Sequence, residues 1–523
     1  MSSTAATRSL HPALAAALAV LISAAAALLR TGLLEAPPEF DELYHLLAAR
    51  GWLKTGTPAI LDGQYGRGLL FTRAVAQLFA STGTDSLETG RLISLAAGSL
   101  LPAVLFLWLA YSAGLAIGLT AAALTIFWPQ SQIEAQLLRF YALHVLCFFI
   151  GAAAFYNVLT GHGFQRFAWA AAAAAAWGLA VKLQISSVIG ISAALVWGCT
   201  VSIFALIANW RGRITAIAAA AALLALALAA AAFADLLEKA WAFYRWTPDH
   251  NAALRDYPGF YHANLRKYHG ILWYGTPLLA ALALWLRPKP ASYCLTLFAA
   301  FFLTLSFGGM KAFRYLSCAV PLLFALWAIA MAGGTALTGK ILSKRRPDRR
   351  PVLTGLTAVF LLAAVLTASG FVQRSLQVAR GEGIAPRGDW RQAGEAVGNW
   401  LDAPFTATTR ELHMLAYVGP YDLLINSSRI TELPSPQEFG IDPRTGRPIA
   451  GSPAAIARLL ACKREGLLVA GAKWWSAGSE AVAMQSQFEA AGLQIETRRK
   501  GPVLAVRWSD PSRRRSNCTG LPL

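Results

Sequence analysis

The segment Glu39-Phe40-Asp41-Glu42-Leu43-Tyr44-His45, just after Pro37-Pro38, crowds carboxylates and an imidazole into barely two helical turns. A carboxylate set against a hydroxyl can take its proton, which makes Asp41 and Glu42 candidates for general-base work. Asp41 and His45 share a helical face, a spacing that suits a pair of metal ligands or a base with its orienting partner. The same residues have a plainer use. Asp41 and Glu42 suit the positive end of a helix from Leu43 to Leu53, and His45 read alone is a surface histidine with no ligand.

A second set of residues is basic. Arg139, Lys311 and Arg314 stand at the ends of apolar runs, with Tyr141 and Tyr315 beside them. A guanidinium fork holds a phosphate or carboxylate through parallel hydrogen bonds, and a tyrosine adds a donor. At such positions the same side chains also snorkel to a membrane surface or bind a lipid headgroup.

The elements that must position these groups are membrane spans. Of 523 residues, 56% are hydrophobic and 14% charged, far from the balance of a water-soluble domain. Apolar runs long enough to cross ~30 Å of hydrocarbon, or close to it, lie near 12–30, 92–110, 115–128, 141–160, 167–181, 185–208, 214–234, 271–286, 291–307, 316–338 and 352–370. The first is read as a retained anchor rather than a signal peptide, since it is long and further spans follow.

The formal net charge of +19 sits largely in short connections and the tail, so it marks topology and does not call for a nucleic-acid partner. With the N-terminus cytoplasmic, the connections at 161–166, 209–213, 287–290 and 339–350 carry Lys and Arg against a single acid, Asp348. About eleven spans then put residues 31–91, 129–140, 235–270, 308–315 and everything after about 371 on the outer face.

Two domains follow: residues 1–370, built of spans, and 371–523, an extracytoplasmic α/β domain. In the latter, Asp389–Asp402, Ser452–Glu465 and Ser479–Ala491 read as helices, with Ser452 as N-cap and Pro453 at the first helical position. Residues 466–470 and 502–508 suit strands. Cys147, Cys199, Cys294 and Cys318 belong to apolar runs, whereas Cys462 and Cys518 fall in an oxidising compartment and are expected to form a disulfide.

Several short blocks carry a resemblance. Asp41-Glu42 with Tyr44 and His45, then Tyr65-Gly66-Arg67-Gly68, then Gly90-Arg91-Leu92-Ile93-Ser94, resemble the N-terminal third of the GT-C class of membrane glycosyltransferases. The branch concerned is the bacterial one similar to protein O-mannosyltransferases and lipid A aminoarabinose transferases, glycosyltransferase family 39. Arg139-Phe140-Tyr141-Ala142-Leu143, the stretch from Lys311 through Arg314-Tyr315 to Pro321, and Asp389-Trp390-Arg391 resemble later blocks in order and spacing. Glu134 departs from the pattern. It stands five residues before Arg139, and either serves as a second active-site acid or is a solvated loop residue.

The resemblance implies transfer, with inversion, of a sugar from a polyprenyl-phosphate donor to an acceptor hydroxyl or phosphate on the outer face of a bacterial cytoplasmic membrane. Asp41, with Glu42, would be catalytic, and Tyr44, His45, Arg67, Glu134, Arg139, Tyr141, Lys311, Arg314 and Tyr315 would bind substrate. Some members of the class need a divalent metal and others do not. The acceptor would be a glycan, a lipid or a protein. Two other readings share these features: a lipid-linked glycan flippase or transporter, and a glycan ligase or polymerase.

Overall fold

The computed structural model describes residues 10–161, 163–208, 234–247, 252–342, 350–382, 384–385, 387–431, 433 and 438–512. All but the last residue of the expected span at 214–234 lies outside them, as does Cys518. Contacts divide the chain into two compact units. The first comprises Met1–Leu34, Ser94–Gln136 and Phe140–Gly383; the second comprises Glu35–Ile93, Leu137–Arg139 and Ile384–Leu523. The acidic segment, which the sequence groups with the spans, thus belongs by contacts to the unit that contains the C-terminal domain.

The first unit is helical. Among the described residues, Leu87–Ser112, Tyr141–Thr160, Phe260–Leu286, Pro288–Phe307 and Val320–Ile341 are long and apolar enough to cross a membrane, and the bent pair Thr354–Ala368 and Phe371–Ala379 makes up to six. Pro12–Leu28, Leu115–Ile126 and Ser187–Ile203 are apolar but shorter. Val320–Leu342 is the central helix. Phe324, Leu326 and Trp327 are fully buried on it, so its faces are covered by protein. Small residues set how closely neighbours approach: a Cβ on Gly151 would lie 2.3 Å from the Trp177 ring of the next helix.

The expected outer loop at 235–270 is largely helical. Ala234–Arg245 is an amphipathic helix with Asp235 in its first turn and Arg245 in its last. Phe260–Leu286 begins eleven residues before the apolar run that marked it, and its two halves meet at Gly270, which takes φ 39° and ψ −111°. Glycine adopts that conformation without the strain a Cβ would bring. The hydropathy pattern registered only the apolar half.

The second unit opens with the helix Phe40–Thr55, ended by Gly56 at φ 72°. A small ladder follows, β1 (Ala59–Ile60) against β2 (Gly63–Gln64). The remaining strands are β3 (Thr406–Thr408), β4 (Leu423–Ile425), β5 (Phe439–Ile441), β6 (Pro448–Ala450), β7 (Gly466–Gly471), β8 (Gln494–Lys500) and β9 (Val503–Ser509). They form one sheet in the order β5-β6-β4-β3-β7-β9-β8. Strands β6, β4, β3 and β7 run parallel, and β5, β9 and β8 add antiparallel pairs.

Alternation along the central strands explains the layering. Leu468 and Ala470 of β7, with Leu504, Val506 and Trp508 of β9, face a core completed by Ile456, Leu459, Met484 and Phe488. Leu467, Val469, Val503 and Ala505 face the opposite core, with Trp390, Val397 and Trp400. A sheet apolar on both faces needs helices on both, which gives three layers. The edge strand β8 is exposed at every residue and carries Glu496, Arg498, Arg499 and Lys500, charges that discourage pairing with another chain.

Ser452 caps Pro453–Cys462 by accepting from the Ala455 amide at 3.1 Å. The expected helix over Asp389–Asp402 is instead a short helix, Ala393–Val397, and a 3-10 turn, Gly398–Asp402. Gly398 separates them by taking φ 52° and ψ −130°.

Candidate active site

Helix Phe40–Thr55 presents the acidic segment. Glu39 occupies its N-cap, one turn earlier than the sequence suggested, and Asp41 and Glu42 lie in the first turn. Their fates differ. The Asp41 side chain is 41% exposed and its Oδ2 lies 2.6 Å from Arg139 Nη1, while the Arg139 side chain is only 9% exposed. Glu39 Oε2 lies 3.9 Å from the same nitrogen.

Glu42, expected beside Asp41 at the reaction centre, is fully buried. Arg91 grips it bidentately, Nε to Oε2 and Nη2 to Oε1, both at 2.8 Å. The Leu138 amide donates to Oε2 at 2.6 Å and the Glu39 amide to Oε1 at 2.7 Å. Both carboxylate oxygens are therefore occupied by donors of this chain. By holding Leu138, Glu42 fixes the residue next to Arg139, and so the guanidinium that meets Asp41. Arg387 completes this layer, donating to the Pro37 carbonyl at 3.0 Å and to Glu39 Oε1 at 2.8 Å.

Tyr44 is buried between stacked and charged neighbours. Its ring lies 4.7 Å from that of Tyr65 with the planes 5° apart, and its hydroxyl accepts from Arg429 Nη2 and Arg444 Nη1, both at 2.7 Å. Burial pushes the phenol up to about 12 although the two arginines pull it down. His45 is an interior residue rather than a surface one. Its Nδ1 lies 2.9 Å from Thr72 Oγ1, and Tyr65 and Phe71 meet its ring edge to face. Burial holds the imidazole down to about 3; Arg139 acts in the same sense and Asp41 opposes it. Arg67 is exposed in the connection after β2.

The remaining expected residues belong to the first unit. Glu134 ends the helix Pro129–Glu134 and takes a hydrogen bond from the Ser317 hydroxyl at 2.9 Å. Arg314 lies over the rings of Tyr141 and Tyr315, 5.6 and 5.7 Å from their centroids. The Tyr315 hydroxyl points to Met310 Sδ at 3.5 Å. Lys311 is buried and donates to the carbonyls of Arg255 and Gly308. Burial lowers its pKa, with Asp256 opposing the shift.

Expected residues thus gather in two groups: Asp41, Glu42, Tyr44, His45 and Arg139 in one unit, Tyr141, Arg314 and Tyr315 in the other. The sequence missed Glu39, Arg387, Arg429 and Arg444 as partners of the first group. Arg91 was visible only as part of a block. Among the described residues no cluster of three or more His, Cys, Asp or Glu is placed to hold a metal ion. Cys462 is buried and disulfide-bonded, while Cys147, Cys199, Cys294 and Cys318 are free.

No family model and no curated protein matches the chain by sequence. Solved structures do match by fold. ArnT from Cupriavidus metallidurans bound to undecaprenyl phosphate aligns with a TM-score of 0.60 at 13% identity, over 96% of this chain and 98% of that one. The archaeal oligosaccharyltransferase AglB from Archaeoglobus fulgidus, in complex with an inhibitory peptide and a dolichol-phosphate, aligns at 0.55 and 13%, over 92% and 72%. Together with the helical unit and the C-terminal sheet, these alignments show that the chain shares the fold of ArnT and AglB, the GT-C fold.

Proposed function

We propose that this protein is an integral membrane glycosyltransferase that moves a sugar from a polyprenyl phosphate to an acceptor hydroxyl or phosphate, with inversion, at the outer face of a bacterial cytoplasmic membrane. The observation that carries the proposal is the Asp41–Arg139 pair. It joins a half-exposed carboxylate to a guanidinium held in place by a buried scaffold, on a fold whose solved examples include one bound to undecaprenyl phosphate.

The chemistry needs a proton acceptor and a stabiliser for the leaving group. As the carrier phosphate departs, its oxygens gain charge, and fixed cations stabilise that charge without reorganising. Arg139 supplies such a cation, able to fork onto phosphate, and Arg314 is proposed from its sequence block as a further substrate-binding residue. When Arg139 turns to the phosphate, Asp41 Oδ2 is released to accept the acceptor's proton. The acceptor oxygen then attacks the anomeric carbon from the face opposite the phosphate, and the bond from that carbon to the phosphate oxygen breaks with its electron pair. Glu42 and Arg91 serve as positioning residues. The C-terminal domain stands on the same outer side and recognises the acceptor.

Purified protein in lipid vesicles, supplied with polyprenyl phosphate bearing a labelled sugar and with a lysate of acceptors, tests this reading. Release of sugar-free polyprenyl phosphate with label on the acceptor is expected. Movement of the intact sugar lipid across the bilayer, with no cleavage, would show a flippase instead.

A further inference from the structure

The sheet of the second unit carries a cavity that the transfer chemistry above does not use. Its volume is about 220 Å3, below the ~300–1,000 Å3 of sites for drug-sized ligands and suited to one sugar-sized group. Thr409, Arg410 and Glu411 line it directly after β3, and Asn426, Ser428 and Arg429 directly after β4. Those strands are parallel neighbours, so the cavity opens at their carboxyl ends, where open α/β sheets bind their ligands. The β3 connection also borders the point where strand order reverses, since β4 lies on one side of β3 and β7 on the other.

The lining points to the ligand. Arg429 is neutralised by Glu411, Nη2 to Oε1 at 2.9 Å, whereas Arg410 has no ion-pair partner among the described residues. One positive charge is left over. Thr409 is 8% exposed, and its buried hydroxyl has no hydrogen-bond partner among the described residues. A buried hydroxyl without a partner is unfavourable unless something binds it. Asn426 and Ser428 add further polar groups. The remaining wall is Phe40, whose ring stacks on His413 at 6.1 Å, and Phe40 is bonded directly to Asp41.

We propose that this cavity binds an anionic sugar unit of the acceptor. Arg410 takes its carboxylate or phosphate, Thr409, Asn426 and Ser428 take its hydroxyls, and Phe40 bounds it on the side of Asp41. The word acceptor rests on the transferase reading; binding of such a unit does not.

Calorimetric titration of the full-length protein in detergent separates the two claims. The probes are glucuronic acid, glucose 1-phosphate, glucose and inorganic phosphate. One of the two anionic sugars is expected to bind saturably, with glucose ~10-fold weaker or more because it lacks the charge-assisted hydrogen bond, and inorganic phosphate ~10-fold weaker or more because it lacks the sugar hydroxyls. Arg410→Gln and Thr409→Val should each weaken it by ~5-fold or more, while Asp41→Asn changes it less than ~2-fold. The result also tells a carboxylated unit from a phosphorylated one. Equal binding by Arg410→Gln and wild type, or absence of saturable binding by either anionic sugar, would overturn the proposal. Binding without any sugar transfer in vesicles would leave the cavity assignment standing and remove the transferase reading alone.

Discussion

Replacing Glu42 by Gln should unfold the second unit at a much lower temperature. Glu42 accepts four hydrogen bonds, two from Arg91 and one each from the amides of Glu39 and Leu138. Both Glu42 and Arg91 are fully buried. A glutamine has the same shape, but its NH2 group would face two donors, and buried Arg91 would lose the carboxylate that it grips. Removing one partner of such a pair costs about 3–5 kcal/mol. At roughly 2–4 °C per kcal/mol for a unit of this size, the apparent melting temperature should fall by ~6–20 °C. The assay is thermal unfolding in detergent at a fixed heating rate, since unfolding of such a protein is expected to be irreversible. Arg91→Met combined with Glu42→Gln should lose less than the sum of the single changes, because each single change already breaks the contact between the two. A drop under ~3 °C for Glu42→Gln, or strict additivity in the double variant, would refute the reading of Glu42 as the anchor of this layer.

Three further outcomes follow from the same geometry. His45 titrates near 3 in the folded protein and near 6.5 when unfolded, so it favours the folded state above pH 6.5 and that contribution is lost as pH falls toward 3. Unfolding followed from pH 7 to pH 4.5 should show His45→Gln with a shallower acid slope than wild type, by up to ~1.4 kcal/mol per pH unit; parallel curves would contradict it. We expect Cys462 to pair with Cys518, so peptide mapping without reductant should recover one cross-linked peptide containing both, and a free Cys518 thiol would refute the pairing. Arg314→Lys keeps the charge but loses the fork and most of the ring stacking, and should lower turnover ~10-fold or more while the melting temperature stays within ~2 °C; unchanged turnover would remove Arg314 from the substrate-binding residues.

The sequence disclosed what repeats or is locally capped. Leu467 to Ala470 and Val503 to Val506 are apolar without a break, which is the mark of strands buried on both faces, and both became inner strands of the sheet. Ser452-Pro453 announced its helix because the cap and the proline act within one turn. What local pattern cannot show is pairing at a distance. Glu42 and Arg91 are 49 residues apart, and Tyr44 and Arg444 are 400 apart, so nothing near either residue signalled the contact. Such pairs explain why Asp41 and Glu42, adjacent and alike in sequence, end in opposite settings. The helix before residue 271 was hidden because its first half is polar and aromatic, and hydropathy registers only the apolar half beyond Gly270.

The central claim is that Asp41 takes the acceptor's proton during glycosyl transfer. Turnover of polyprenyl-phosphate sugar by the Asp41→Asn protein, in vesicles and at matched amounts of folded enzyme, measures it most directly. The account predicts a fall in kcat of ~10²- to 10⁴-fold, the usual contribution of a positioned general base. Transfer by Asp41→Asn at the wild-type rate would contradict it.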